Sequence, residues 1–360
     1  MDNQAEYGLR REGLLPALHQ ARVDAFLITG LPNIRYLAGF TGSNAALLVA
    51  PNRTLLFTDP RYQTQAPQES DCEVKIAKGP LTAEVQKWVQ RLKLKSIGFE
   101  QNRISYEGYT ELRSAIKGIR FKAVSGMVEA LRTVKTPAEI ATIKASVQLN
   151  SAALEQALRH FKVSMTEVDL AAEIEYRMRG LGADGTAFET IVAAGTRSAL
   201  PHAHPTNHPI NRDQLLLVDM GASVAGYASD MTRTYAVGKL DAKIRRMYRA
   251  VLESQLAAND AIEPGVSCAR VDAAAREVLR RYGLDKLFLH STGHGLGLEI
   301  HERPRVGRKE GTKLEAGMVI TVEPGAYVEG LGGIRIEDTV VVTEQGSEVL
   351  TPTRKELVAL

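Results

Sequence analysis

LLLVDMGASVAGYASDMTRTYAV, residues 215–237, reads as two apolar, β-branched segments around a small-residue centre that contains Gly226. A hairpin turning about Val224–Ala225 would set Asp219 directly opposite Asp230 on one face, with Cβ atoms roughly 4.5–5.5 Å apart. Like charges opposed across a ladder destabilise it, and aspartate is a poor strand residue. Asp219 follows four apolar residues, which puts it at a buried strand end rather than on a solvated face. A pair so placed weakens the sheet that carries it, so a chemical role outweighs a structural one.

A second segment, TVEPGAYVEGLGGIRIED at 321–338, repeats the arrangement. A turn centred at Gly330 would bring Glu323 opposite Glu337. The alternation of IRIED then points Arg335 to the same face as Glu337, where it could orient a carboxylate. Alone, this segment would read as a surface hairpin with ordinary charges. A third stretch, HSTGHGLGLEIHE at 290–302, sets His290, His294 and His301 among glycines and small residues, which let a backbone approach a site closely. A further loop, SALPHAHPTN at 198–207, holds His202 and His204 between Pro201 and Pro205.

If these segments converge, four carboxylates come within a few ångströms of one another. They cannot all stay ionised unless cations neutralise them. Two divalent ions would do so, and a set of carboxylate oxygens with one imidazole and no thiolate suits Mn, Co, Fe or Zn. Two such ions roughly 3.5–4 Å apart can share and deprotonate a water and polarise a carbonyl or phosphoryl oxygen. Metal-assisted hydrolysis follows as the expected chemistry. Residue types and spacing do not choose between peptide and phosphate substrates.

Over nearly its whole length the chain resembles the pita-bread metallopeptidases: methionine aminopeptidase, aminopeptidase P and prolidase. The resemblance implies five metal ligands, Asp219, Asp230, His294, Glu323 and Glu337, binding two divalent ions, Mn²⁺ first, with Co²⁺ or Zn²⁺ as alternatives. NIRYLAGFTGSNAALLV (33–49) and LFTDPRYQTQA (56–66) resemble the creatinase-type N-terminal domain of aminopeptidase P and prolidase, which methionine aminopeptidases lack. The implied fold is mixed α/β: a three-layer domain over 1–125, then a pita-bread catalytic domain over 126–360.

By the same resemblance, Glu323 is both a ligand and the group that moves a proton to the leaving nitrogen, and His202 and His301 hydrogen-bond substrate and intermediate. His290, Tyr327, Arg305 and Arg335 stand around them as substrate-binding or orienting residues; Arg305 would bind a substrate carboxylate or stay on the surface. His204 reads as a solvated loop residue or as part of the substrate entrance. The implied activity is cleavage of an Xaa–Pro bond at a peptide N-terminus by an aminopeptidase. An Xaa-Pro dipeptidase is the alternative, and a non-catalytic peptide-binding protein a more distant one. Relatives of this kind are usually homodimers.

Composition agrees with an enzyme of small substrates. The 360 residues carry a net charge of +3, with 44 % apolar and 24 % charged residues, and Lys and Arg are dispersed. Neither nucleic acid nor membrane is an expected partner. Cys72 and Cys268 lack ligand spacing and read as free thiols of a cytoplasmic protein. The first residues lack the apolar core of a signal peptide.

The expected helices are 7–22, 81–94 and 105–117, a long one after the Thr136–Pro137 capping box, one from Thr166 to the glycines at 180–185, and two near 240–262 and 268–283. Strands are expected at 24–29, 45–50, 54–59 and 96–100.

Overall fold

The computed structural model describes residues 3–360, which divide after Arg132 into two compact units. The division falls a little beyond residue 125, because Val128 and Arg132 of helix Met127–Thr133 are buried within the first unit.

The first unit is built on a six-stranded mixed sheet. From one edge the strands are Glu73–Ile76, Arg53–Thr58, Ala45–Ala50, Ala25–Ile28, Ser96–Glu100 and Arg120–Val124. Leu27, Leu48, Leu55, Phe57, Ile97 and Trp88 form its apolar core, with helices Leu81–Arg91 and Tyr106–Ala115 contributing Val85 and Leu112. The single helix expected over 7–22 is two helices, Asn3–Glu12 and Leu15–Ala21. Pro16 explains the break: it lacks an N–H and crowds the preceding turn, so it fits only where a new helix begins.

The second unit repeats a helix pair and a sheet twice. Helix Pro137–Arg159 starts at a complete Thr136–Glu139 capping box and packs beside helix Glu167–Gly180. Leu154, Leu170, Ile174 and Met178 of this pair cover Val192, Leu216 and Val218 of a three-stranded antiparallel sheet, ordered Met231–Val237, Gln214–Met220, Ile191–Ala194. Helices Ala242–Asp260 and Cys268–Arg281 form the other pair. Their Ile244, Val251, Val271 and Leu279 pack with Ile320, Val322 and Val340. Those strand residues belong to a five-stranded sheet ordered Glu302–Val306, Gly293–Gly295, Val319–Val322, Asp338–Thr343, Gly346–Val349. Among the described residues no helix is long and apolar enough to cross a membrane.

Two hairpins carry the acidic pairs. In the 319–343 hairpin, Val322 pairs with Asp338, and beyond a break in the ladder Gly325 pairs with Arg335. Both ladders keep one register around Gly330, so Glu323 and Glu337 face each other across the gap between them, as their spacing predicts.

The other hairpin differs from expectation. Its turn is Ala225–Gly226, both with positive φ (47° and 78°), the geometry of a two-residue turn whose twist suits the flanking strands. Moving the turn one position on pairs Asp219 with Thr232, and Asp230 falls in the irregular step before Met231–Val237. The two aspartates are therefore near neighbours but not direct cross-strand partners.

Candidate metal centre

Asp219 sits near the end of the central strand of the three-stranded sheet, flanked by Ile191 and Thr232. Asp230 is buried one residue before the partner strand begins. His294 occupies the middle of the three-residue strand Gly293–Gly295. A Cβ on Gly293 would lie 1.9 Å from the Thr321 carbonyl oxygen, and one on Gly295 would lie 2.1 Å from that of Arg303. Only glycine on either side lets the neighbouring strands close around this imidazole.

The five residues meet. His294 Nε2 lies 3.6 Å from Asp230 Oδ2 and 3.5 Å from Glu323 Oε1. One ligand atom each from Asp230, His294 and Glu337 fall within 4.8 Å of one another. Burial, then the charges of Glu337, Asp219 and Glu323, push the Asp230 carboxyl well above its ordinary value. Glu337 is raised in the same way by burial and by Glu323 and Asp219. Burial lifts Glu323 to about 7 against the opposing pull of Arg335. His294 is pushed down to about 4 by burial and by His301, which keeps its ring neutral. Its Nδ1 lies 3.0 Å from the Gly295 carbonyl oxygen; donation there leaves the Nε2 lone pair directed at the carboxylates.

Hydrogen bonds orient the acids. Thr232 Oγ1 donates to Glu337 Oε2 at 2.6 Å and accepts from Arg335 Nε at 3.0 Å. Arg335 Nη2 donates to Asp219 Oδ2 at 2.6 Å, and its Nη1 donates to Tyr327 Oη at 2.8 Å and to the Pro201 carbonyl at 3.2 Å. With Arg335 as donor, the Tyr327 hydroxyl is free to donate to His290 Nε2 at 2.8 Å, while His290 Nδ1–H points to the Ser291 carbonyl at 2.8 Å. Asp219 Oδ1 is buried with no hydrogen-bond partner. An orphaned carboxylate oxygen beside two other buried acids, the partly buried Glu323 and a neutral imidazole is a donor set that fits divalent cations.

The remaining candidates lie around this centre. The His301 ring is edge-on to that of His294, centroids 4.4 Å apart, and His301 is exposed. His202 is exposed in its loop, and its charge bears on both His290 and His301. Arg305 is exposed on the edge strand as the register partner of His294. His204 is apart from this group, exposed with Nδ1 3.0 Å from Glu189 Oε2. Sequence reading missed Thr232, although the alternation of DMTRT puts it on the same face as Asp230. It also missed Thr292, whose carbonyl accepts the Glu323 N–H at 2.7 Å and whose hydroxyl donates to Asp272.

Residues 141–344 match the pattern of metallopeptidase family M24, and residues 10–134 match the creatinase/prolidase N-terminal domain. The chain is similar to an Xaa-Pro dipeptidase from Bacillus anthracis, with TM-score 0.96 and 39 % identity over 98 % of this chain and 100 % of that one. It is 36 % identical over 339 residues to the Xaa-Pro dipeptidase of Pyrococcus horikoshii, 93 % of this chain and 95 % of the relative. An X-Pro aminopeptidase from Thermotoga maritima is also similar, with TM-score 0.89 and 38 % identity over 96 % of this chain and 100 % of that one.

Proposed function

The chain belongs to metallopeptidase family M24 and carries a creatinase/prolidase N-terminal domain, and on that premise we propose that it is an Xaa-Pro dipeptidase. Family membership makes it a dinuclear metal-dependent peptidase with the pita-bread fold. The step from aminopeptidase, the leading expectation from sequence, to dipeptidase is supported by the two Xaa-Pro dipeptidases, which match over nearly their full lengths. The observation that carries the metal reading is the convergence of carboxylates on one imidazole: His294 Nε2 lies within 3.6 Å of Asp230 and Glu323 oxygens, Glu337 joins them, and Asp219 keeps a buried oxygen without a hydrogen-bond partner.

In this reading those five side chains hold two divalent ions, Mn²⁺ first and Co²⁺ or Zn²⁺ as substitutes. When bound, the ions would supply a water made nucleophilic at neutral pH and a polarised scissile carbonyl. Glu323 takes a proton from the attacking water and delivers it to the leaving prolyl nitrogen. His202 and His301 donate to substrate carbonyl oxygens and to the charge that develops on them, which is often the largest catalytic contribution. Arg305, exposed beside His294, receives the free carboxylate of the dipeptide. Proline's tertiary amide lacks an N–H and its ring has a fixed shape, so a pocket can select it where a general peptidase cannot.

The deciding experiment compares an Xaa-Pro dipeptide with an Xaa-Pro-Xaa tripeptide on metal-loaded protein. Dipeptide turnover with little cleavage of the tripeptide is the expected result. Efficient release of the first residue from the tripeptide would overturn the dipeptidase reading in favour of aminopeptidase.

A further inference from the structure

One buried carboxylate outside the metal centre holds the His202 loop at both ends. Glu167 opens helix Glu167–Gly180 and is completely buried. Its Oε1 accepts from the Ala194 N–H at 2.8 Å and from Arg197 Nε at 3.1 Å. Its Oε2 accepts from Arg197 Nε at 3.0 Å, the Thr206 N–H at 3.0 Å and Thr206 Oγ1 at 2.8 Å. Arg197 in turn donates through Nη2 to the His204 carbonyl at 2.8 Å. All of these donors belong to residues 194–206, so the bonds join the start of the loop to its end.

The helix itself does not need this side chain. Its first turn is closed by Thr166 and Asp169, each accepting from the other's backbone N–H, at 3.1 and 2.9 Å. Between the two points fixed by Glu167, the loop is tied to the second acidic hairpin twice: the Ser198 hydroxyl accepts from the Gly333 N–H at 2.9 Å, and the Pro201 carbonyl accepts from Arg335. A buried carboxylate is costly unless fully partnered. Here every partner serves the segment that presents His202.

We propose that Glu167 is a positioning residue that holds the 194–206 loop so that His202 faces His290 and His301, and that it acts on substrate only through His202. This rests on the reading of His202 as a substrate-binding group. It makes helix Glu167–Gly180 part of the active-site scaffold although none of its side chains reaches the metal centre.

The test uses metal-loaded full-length protein carrying Glu167→Gln or Thr206→Val, alone and combined with His202→Ala. Xaa-Pro dipeptide kinetics, bound metal, and limited proteolysis of the loop without substrate are measured. Displacing a substrate-facing group by ~1 Å can cost about 10²-fold. Glu167→Gln is therefore expected to lose about tenfold or more in kcat/KM while keeping its metal, to add no further loss on top of His202→Ala, and to be cut faster within the loop.

Losses that multiply with that of His202→Ala, or undiminished kcat/KM in a folded variant, would overturn the proposal. Thr206→Val removes only the two bonds of that hydroxyl, to Glu167 and from the His208 N–H, and carries the same test if Glu167→Gln does not fold. If wild-type protein cleaves no Xaa-Pro dipeptide, the functional reading fails. Loop proteolysis then decides separately whether Glu167 fixes the segment, unchanged cutting being the result against it.

Discussion

Arg335 Nη2 and Asp219 Oδ2 form a 2.6 Å ion pair whose side chains are almost wholly withdrawn from solvent. The same guanidinium reaches Thr232, Tyr327 and the Pro201 carbonyl, so one cation is shared among both acidic hairpins and the His202 loop. Breaking a buried pair from one side typically costs about 3–5 kcal/mol, because the other charge is stranded. Arg335→Met is expected to lower the stability of metal-stripped protein by about 3 kcal/mol in urea unfolding. Metal should restore part of that loss, since the ions take over as counter-charge. Unaltered stability without metal would show that Arg335 is not the centre's counter-ion.

The acids of the metal centre make the protein's stability depend on pH in a defined direction. Glu323 is raised from an ordinary 4.5 to about 7, and Asp230 and Glu337 are raised with it. Each group holds its proton more tightly folded than unfolded, so its contribution is complete below the unfolded value and disappears as pH climbs through the folded one. Below about pH 6.5 the buried His290 and His294, pushed down to about 4, work the other way, so the acids are read above that value: stripped protein should be more stable at about pH 6.5 than at about pH 9, and apparent metal affinity should climb with pH over the same window as protons leave the ligands. Unfolding and metal titrations at several pH values check both trends, and a flat profile contradicts them.

Asp230→Asn should separate stability from activity. It removes a buried carboxyl that the stripped protein can fold around only by holding a proton on it beside three other acids. The stripped variant is expected to gain on the order of 1–2 kcal/mol, as happens when a strained functional site is relaxed, while metal content and turnover fall together. A variant that kept its metal and its rate would remove Asp230 from the ligand set.

Arg305→Ala probes the dipeptide carboxylate. A hydrogen bond to a charged group is worth about 1.5–3 kcal/mol, or roughly tenfold to a hundredfold in binding. KM for an Xaa-Pro dipeptide should rise within that range, with little change for the corresponding dipeptide amide. Equal effects on both would place Arg305 outside carboxylate recognition.

Ala225 tests the local physics of the first acidic hairpin. It is exposed and holds φ at 47°, a region that penalises a Cβ and that asparagine tolerates better. Ala225→Asn is expected to raise stability by about 0.5 kcal/mol without affecting turnover. A loss of stability would argue against the two-residue turn.

Sequence made one hairpin fully legible and the other nearly so. Glu323 and Glu337 could be paired because their spacing is symmetric about Gly330, and the backbone keeps that register through a break in the ladder. Asp219 and Asp230 were matched two positions out of register. Symmetry located the turn at 224–225, whereas Gly226 supplies the positive φ required by its second residue. Glu167 could not be found this way, since its partners lie 27 to 39 residues along the chain and none of them follows a period. The same holds for Asp272 and Arg276, which grip the segment around His290 from helix Cys268–Arg281.

The gap that Glu323 and Glu337 share has a consequence for inheritance. Ladders on both sides of it count in whole residues, so the separation of the two acids changes in discrete steps. A single-residue insertion or deletion inside either strand would turn one glutamate to the opposite face and destroy the centre outright. Length changes at the Gly330 tip leave both ladders intact. Descendants of this sequence should therefore vary in length there, and hold their residue count between each acid and its nearest ladder.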